Sequence, residues 1–154
     1  MCRKKICLIS SSGGHLEQIR QLKGISERYD CFYVVTRTKA TEAMKQRRYI
    51  VSDLVRKNRA AMLFRMLKMV FEQFIVFFRD RPDIILTTGA AVAIPMCVIG
   101  KIFRKKVIYI ESFARMTMPS KTGLFVYKFA DLFIIQWEEL KKYYPRAVYG
   151  GAIY

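Results

Sequence analysis

Histidine and paired cysteines are scarce in this sequence of 154 residues. The only histidine is His15, and the four cysteines stand apart at Cys2, Cys7, Cys31 and Cys97, with no C-x-x-C pair. The ligand spacing of a zinc site is therefore missing, and we expect neither a metal ion nor another cofactor. Unpaired cysteines are typical of a reducing compartment, which favours a cytosolic environment.

Acidic residues are also few, since 28 Lys and Arg face 12 Asp and Glu, for a formal net charge of +16. Such an excess favours an anionic partner: nucleic acid, anionic lipid headgroups or a substrate that carries phosphate. No nucleic-acid-binding module is recognisable, and many aromatic residues lie inside predicted strands and helices, where they serve core packing. We therefore expect no nucleic-acid partner.

A long uninterrupted apolar run is missing as well. The longest, from Ala60 to Phe78, is broken by charged residues, whereas a membrane-spanning helix needs about 20 mostly apolar residues. The segment after Met1 passes through three basic residues directly into a short apolar run, without the length or cleavage site of a signal peptide. The sequence predicts neither a spanning helix nor a secretory leader.

Apolar residues make up 53% of the chain and fall into short runs that alternate with helical patterns. These runs predict five strands: Lys5–Ser10, Cys31–Thr36, Asp83–Thr87, Lys106–Glu111 and Leu132–Ile135. The segments between them predict helices over His15–Arg28, Thr41–Arg48, Ala60–Arg79, Gly123–Ala130 and Trp137–Tyr144. Alternation of this kind predicts a Rossmann-like α/β fold with a parallel sheet and helices on both faces. No linker divides the chain, so residues 1–154 are expected to form one domain.

The predicted helix Ala60–Arg79 is apolar except for a narrow polar stripe, and two interpretations remain open. It is either a core helix with a thin solvated edge or an interfacial helix that lies on a membrane. In the second interpretation, basic side chains meet anionic headgroups and aromatic side chains meet lipid. The membrane-facing residues are then Arg65, Lys68, Phe71, Phe74 and Phe78.

Ligands of open parallel sheets bind beyond the carboxyl ends of the strands, so the residues there are the candidate acceptor and phosphate ligands. They are Ser11, Ser12, Gly13, Gly14, Arg37, Thr88, Gly89, Ser112 and Arg115. The Ser/Gly turn before a helix offers free N–H groups at the positive end of a helix dipole, which suits a diphosphate. Many α/β proteins, however, turn tightly at this position for steric reasons alone.

His15 and Glu111 are the candidate catalytic residues. His15 follows the glycines and either contacts a phosphate, accepts a proton from a sugar hydroxyl, or merely begins the helix. Glu111 ends an apolar strand, so its carboxylate is expected at the mouth of the crevice, where it accepts a proton from an attacking hydroxyl, binds sugar hydroxyls, or forms an ion pair with Arg115 that orders the loop. A dinucleotide-binding dehydrogenase fits poorly, because the turn is not G-x-G-x-x-G and the second strand ends at a basic residue.

Several short motifs together resemble a known family. They are Ser11-Ser12-Gly13-Gly14-His15, Glu111-Ser112-Phe113-Ala114-Arg115, Ser120-Lys121-Thr122-Gly123, Ala130-Asp131 and Gln136-Trp137-Glu138-Glu139-Leu140. The chain resembles the oligosaccharide-biosynthesis family that contains the membrane-docking subunit of the split N-acetylglucosaminyltransferase of asparagine-linked glycosylation. Its bacterial members are capsular and exopolysaccharide glycosyltransferase subunits.

The resemblance implies the N-terminal half of a GT-B glycosyltransferase, which binds acceptor and membrane. A separate partner subunit then holds a UDP-sugar, and the pair performs inverting transfer to a lipid-diphosphate-linked saccharide. Since eukaryotic members carry an N-terminal anchor and the first strand here begins near Lys5, attachment is expected to be peripheral, at the cytoplasmic face of the membrane. A single-chain enzyme would continue past the last residues, so the partner interface is expected at Trp137, Glu138 and Tyr154, with a buried core role as the alternative for Trp137. A non-catalytic scaffold that recruits the enzyme is the alternative.

Overall fold

The computed structural model describes residues 3–53 and 59–153. They contain one sheet of seven strands, in the order β3-β2-β1-β4-β5-β6-β7, and all the neighbouring strands are parallel. The strands are β1 (Lys5–Ser10), β2 (Asp30–Thr36), β3 (Arg48–Val51), β4 (Ile84–Thr87), β5 (Lys106–Ile110), β6 (Leu132–Ile135) and β7 (Val148–Tyr149). The predicted Rossmann-like α/β fold is confirmed.

Helices cover both faces of this sheet. They are α1 (Gly14–Gln21), α2 (Lys23–Arg28), α3 (Lys39–Glu42), α4 (Arg59–Asp80), α5 (Ala93–Ile102) and α6 (Lys121–Val126), followed by a 3-10 helix (Glu138–Lys142). Strand residues alternate between two cores, because successive side chains point to opposite faces. In β1, Ile6 and Leu8 pack under α1 and α2, whereas Cys7 and Ile9 pack under α4 and α5.

Side-chain caps fix where two of the short helices begin. Thr38 accepts a hydrogen bond from the N–H of Thr41 and starts α3, and the Thr41 hydroxyl accepts one from the N–H of Thr38 in return. Ser120 starts α6, because its hydroxyl accepts a hydrogen bond of 2.8 Å from the N–H of Gly123. Each cap satisfies a backbone donor that has no partner inside its helix.

Several predicted elements differ from the structure. The predicted helix His15–Arg28 is two helices separated at Leu22, and the predicted helix Thr41–Arg48 is wrong, since α3 ends at Glu42 and Arg48 begins β3. Helix α5 went unpredicted because it is apolar on most sides and shows no amphipathic period. The predicted segment Trp137–Tyr144 contains a 3-10 helix, and the short edge strand β7 was not foreseen.

Helix α4 extends past the carboxyl edge of the sheet. Asp80, at its end, pairs with Lys5 and Arg47 near the amino ends of the strands, so the helix runs antiparallel to them. Glu72 accepts a hydrogen bond from the N–H of Ser52, just beyond β3, which places the middle of α4 at the carboxyl edge. The preceding turns therefore continue beyond the sheet.

The two halves of α4 differ in burial. The second half buries one face, formed by Met69, Gln73, Val76, Phe77 and Asp80. Every side chain from Met62 to Lys68 is exposed, including Phe64 at 70% and Leu67 at 59%. We call residues 62–68 the α4 arm. The interpretation of this segment as a core helix holds for its second half, which packs in the core, but is wrong for the arm, whose side chains are all exposed. None of the described helices is both long and apolar enough to cross a bilayer.

Candidate functional site

Three neighbouring strands bring the candidate residues to the same edge. In the sheet order, β1 lies beside β4 and β4 beside β5, so the segments that follow these strands share the carboxyl edge. His15 contacts the second of these segments directly, since its Nδ1 lies 2.9 Å from the carbonyl oxygen of Thr88. The Thr88 hydroxyl donates to the carbonyl oxygen of His15 at 2.8 Å. The segments that follow β1 and β4 therefore meet at this edge, as expected.

The hydrogen bond to Thr88 selects the tautomer of the His15 ring. A carbonyl oxygen only accepts, so Nδ1 must carry the hydrogen in this arrangement. In the neutral ring, Nε2 then carries the lone pair and can accept a proton. The side chain is half-buried, and its Nε2 has no hydrogen-bond partner within residues 3–53 and 59–153. This geometry suits a general base.

The turn before α1 presents unused backbone donors. Gly13 adopts a φ of +90°, which favours glycine, and its carbonyl oxygen accepts hydrogen bonds from Leu16 at 2.9 Å and Glu17 at 3.1 Å. In the part of the chain described, the N–H groups of Gly13, Gly14 and His15 meet no acceptor. These donors stand at the positive end of α1, as an anion site requires.

The serines beside that turn have different roles. The N–H of Ser12 donates to the hydroxyl of Thr36 at 3.0 Å, and that hydroxyl donates to the Ser12 side chain at 3.2 Å. Ser12 therefore ties the turn to the end of β2. Ser11 is half-buried, and the two glycines are exposed. The glycines are thus more accessible to a ligand than Ser12 is.

Gly89 separates His15 from β5. Its φ is +112°, and a Cβ at this position would lie 3.1 Å from the hydroxyl of Tyr109 and 3.2 Å from Cε1 of His15. A side chain here would push against both groups and would require a backbone conformation that L residues rarely adopt. Gly89 therefore allows the segments after β1, β4 and β5 to approach closely.

Glu111 lies deeper than the sequence predicted. Its carboxylate accepts hydrogen bonds from the N–H of Ser112 at 3.0 Å and of Ser120 at 3.2 Å. The hydroxyls of Ser120 and Tyr144 also donate to it, at 3.1 Å and 2.7 Å. The side chain is completely buried. The expected position at the mouth of the crevice is wrong, because these donors hold the carboxylate inside.

The expected ion pair between Glu111 and Arg115 is also wrong. Arg115 is exposed, and its N–H closes a turn by donating to the carbonyl oxygen of Ser112 at 2.9 Å. In the described chain, no basic side chain forms a salt bridge with Glu111. Hydrogen-bond donors alone therefore compensate the buried carboxylate.

The hydroxyls around Glu111 donate in one direction. Ser120 uses its only hydrogen on the carboxylate, so Tyr109 must donate to the Ser120 oxygen, 3.1 Å away. Burial and then the hydrogen bond to the Glu111 carboxylate raise the pKa of Tyr144 well above its usual value. Burial and the same carboxylate raise the pKa of Tyr109. Both tyrosines therefore stay protonated and serve as donors.

This network holds the rim segment of residues 112–119, which joins β5 to α6. The indole Nε1 of Trp137 donates to the carbonyl oxygen of Phe113 at 2.7 Å, and the two rings lie 4.9 Å apart. Met116 and Met118 point outward, with exposures of 53% and 66%. Trp137 is thus half-buried against the rim segment, and Glu138 beside it is exposed. Tyr154 lies outside the described residues.

Arg37 lines a different cleft. Its guanidinium pairs with Glu42 at 2.8 Å and borders a cleft of about 560 Å³ between the end of β3 and α4. The cleft also contains Arg65 and Lys68. The structure thus places Arg37 with the residues expected to face a membrane. Phe71, Phe74 and Phe78 are exposed at 64%, 43% and 41%, and Phe78 packs edge-on against Phe103.

Comparison with known proteins gives the same fold and a family. MurG of Acinetobacter baumannii superposes with a TM-score of 0.71 at 18% identity, over 88% of this chain and 42% of MurG. HepE of Anabaena, solved with UDP and glucose, gives 0.60 at 17% identity, over 96% and 41%. The chain thus spans about two fifths of these solved structures. Their similarity supports a Rossmann-like unit of the GT-B type.

The curated relatives of this chain share one name. The human UDP-N-acetylglucosamine transferase subunit ALG14 is 29% identical over 177 residues, which covers 96% of this chain and 82% of the relative. The subunit of that name from Yarrowia lipolytica is 33% identical over 81 residues, or 49% of this chain and 38% of the relative. Residues 6–153 match the family described as "Oligosaccharide biosynthesis protein Alg14 like". The chain therefore belongs to the Alg14-like family of oligosaccharide biosynthesis proteins.

Proposed function

We propose that this chain is the acceptor- and membrane-binding subunit of a two-component inverting glycosyltransferase. The enzyme transfers a sugar from a UDP-sugar to a saccharide linked to a lipid diphosphate, and a separate partner subunit holds the UDP-sugar. In line with the resemblance of the sequence, we place the reaction in capsule or exopolysaccharide biosynthesis. Family membership, the Rossmann-like sheet and the free N–H groups at its carboxyl edge support this proposal.

The free N–H groups of Gly13, Gly14 and His15 bind the diphosphate of the acceptor in this proposal. They lie at the start of α1, where Gly13 and Gly14 are exposed and the helix dipole favours negative charge. Nε2 of His15 accepts the proton of the acceptor hydroxyl while that oxygen bonds to the anomeric carbon of the sugar. UDP leaves from the opposite side, so the configuration inverts. The orientation of His15 by Thr88 is the single observation that carries this role.

Glu111 is a positioning residue in this proposal. A group that accepts a proton from substrate must reach it, and a completely buried carboxylate with four internal donors does not. Its hydrogen bonds instead fix the rim segment and its apolar side chains beside the candidate acceptor site. Arg115 is exposed on this segment, where it faces acceptor or partner, whereas Ser112, expected to do the same, is buried with an exposure of 8%.

The α4 arm attaches the protein to the membrane surface. It exposes apolar side chains over most of its circumference together with Arg65 and Lys68. Apolar and basic side chains on one helix are typical of peripheral helices that lie in the membrane interface, and we place this one at the cytoplasmic face. The exposed Phe71, Phe74 and Phe78 continue this surface toward α5.

His15→Asn in a complex reconstituted with the partner tests the chemistry. The amide nitrogen of Asn can replace Nδ1 as a donor to Thr88, but Asn lacks a group that replaces Nε2. Loss of a general base lowers turnover by about 10²–10⁴-fold. The complex should still form, and Glu17→Gln, an exposed change on the same helix, should transfer sugar at the normal rate.

The same measurement tests the scaffold alternative, which the burial of Glu111 favours. A scaffold contributes no group to the reaction, so His15→Asn would leave turnover near that of Glu17→Gln while the complex forms. Both the acceptor-subunit hypothesis and the scaffold hypothesis require a separate subunit that holds the UDP-sugar. Full transfer by this chain without its partner would contradict both.

A further inference from the structure

The cleft between the α4 arm and the end of β3 gathers basic side chains from two elements. Arg37 follows β2, whereas Arg65 and Lys68 lie on the arm, and all three line the same volume of about 560 Å³. The candidate acceptor site lies on the other side of β2, at the turn after β1. The cleft is therefore a second candidate anion site at the same edge of the sheet, and this one carries basic side chains.

The charges in this cleft are only partly compensated. Glu72 lies at its floor, where the N–H of Ser52 at 2.7 Å and the Ser52 hydroxyl at 3.1 Å donate to its carboxylate. Lys68 pairs with Glu72 at the longer distance of 3.8 Å. Arg65 has no acidic partner within the described residues, although Asp53 also borders the cleft. An anion that enters the cleft therefore meets at least one guanidinium without a salt bridge.

Apolar side chains continue from the cleft onto the arm. Phe64 lines the cleft and is 70% exposed, and Leu67 and Phe71 beside it are 59% and 64% exposed. A small inorganic anion or a nucleic acid backbone has no apolar group that could pack against this surface. A molecule with an anionic head and an apolar tail matches the basic side chains of the cleft and the apolar side chains of the arm together.

We propose that this cleft binds the phosphate of an anionic phospholipid headgroup while the apolar side chains of the arm lie among the acyl chains. The proposal rests on the membrane-binding part of the function proposed above and adds a specific lipid site to it. A second copy of the chain is a poor occupant, because two molecules with a net charge of +16 repel each other. Arg65 and Lys68 bind the phosphate, and Arg37 closes the cleft from the β2 side.

Vesicle binding by the full chain tests this site. The variant Arg65→Gln with Lys68→Gln is compared with Lys23→Gln and Arg28→Gln. The control pair is exposed on α2, which covers the opposite face of the sheet. Both double variants lose one Lys and one Arg, so the net charge of the protein falls equally. The vesicles contain either phosphatidylcholine alone or phosphatidylcholine with a minority of phosphatidylglycerol.

The wild-type chain and the control pair should bind the mixed vesicles more tightly than the phosphatidylcholine vesicles. The arm variant should bind the mixed vesicles about thirty-fold more weakly than the control, from the usual contribution of two basic side chains at an anionic surface. Equal losses in the two variants would mean general charge attraction and would overturn the headgroup site. Failure of the wild type to prefer the mixed vesicles would overturn it too.

Transfer activity in detergent separates this proposal from the proposed function. With a detergent-dispersed acceptor and the partner subunit, the arm variant should transfer sugar at the wild-type rate, since no vesicle surface is needed. Loss of activity in detergent would place the cleft in the reaction itself and would overturn the assignment to a phospholipid. An inactive wild-type complex with intact vesicle preference would contradict the transferase proposal and leave the lipid site supported.

Discussion

Tyr144→Phe removes one of the four hydrogen bonds that hold the buried Glu111 carboxylate. The hydroxyl of Tyr144 lies 2.7 Å from the carboxylate, and both side chains are completely buried. The substitution keeps the ring and its contacts with Phe133 and Tyr127. It leaves one oxygen of a completely buried carboxylate with fewer donors, so the cost falls on the folded state.

A hydrogen bond to a charged group contributes about 1.5–3 kcal/mol to stability. The unfolding equilibrium constant should therefore rise by a factor of about 10 to 150, at 1.4 kcal/mol for each factor of ten. For a domain of this size, the melting temperature should fall by about 3–12 °C, since each kcal/mol lowers it by about 2–4 °C. The three remaining donors keep Glu111 in place, so the fold should survive.

Urea unfolding, followed by the fluorescence of Trp137, measures this change. Tyr143→Phe is the matched control, because Tyr143 is the neighbouring residue, is 38% exposed and donates no hydroxyl hydrogen bond within the described chain. Its stability should stay within about 0.5 kcal/mol of the wild type, as for other surface substitutions. Equal stability of the two variants would refute the reasoning that the donors compensate a buried charge.

Two further substitutions have defined outcomes. Gly89→Ala should lower the free energy of unfolding by about 1–3 kcal/mol, because its φ of +112° is strained for alanine and its Cβ meets Tyr109 and His15; normal thermal stability would contradict this. Partial burial acts to raise the pKa of Asp131, but the N–H of Val107 and the ammonium groups of Lys101 and Lys106 outweigh it, so the pKa is lowered. Asp131→Asn should therefore be less stable than the wild type at neutral pH, and this difference should shrink as the pH falls from about 5 through the lowered pKa. Urea midpoints over this range measure it, and a constant difference would exclude the charge as its cause.

The sheet was predictable because its strands carry continuous apolar runs. Four of the five predicted strands agree with β1, β2, β4 and β5 within one residue, and Leu132–Ile135 is the same as β6. Strand β3 escaped notice because Arg48, Tyr49 and Ile50 are only half-buried and follow a segment with helical composition. The two-residue β7 is too short to give a pattern.

The sequence predicted the edge of the sheet at which the candidate site lies, but not how deeply Glu111 is buried there. The rule that ligands bind at the carboxyl ends of parallel strands correctly grouped His15, Thr88 and Gly89. The same rule placed Glu111 at the surface, because a strand end says nothing about which later residues cover it. The covering groups come from Ser120 and Tyr144, which are 9 and 33 residues away in the sequence.

One of the two roles of Ser120, the start of a helix, is indicated by the sequence. It begins a Ser-Lys-Thr-Gly segment ahead of a helix, which predicts an N-cap. No pattern in the sequence indicates that the same hydroxyl also donates to a strand carboxylate. The link from Tyr109 through Ser120 to Glu111 depends on tertiary packing alone.

The α4 arm extends past the edge of the sheet on which the candidate acceptor site lies. An arm that rests in the membrane surface would keep this edge at a fixed small height above the bilayer. Under the proposed function, this height would favour acceptors whose reacting hydroxyl reaches His15 from the bilayer surface. The geometry of attachment would thus set the length of acceptor that the enzyme extends, without any contact to the terminal sugar.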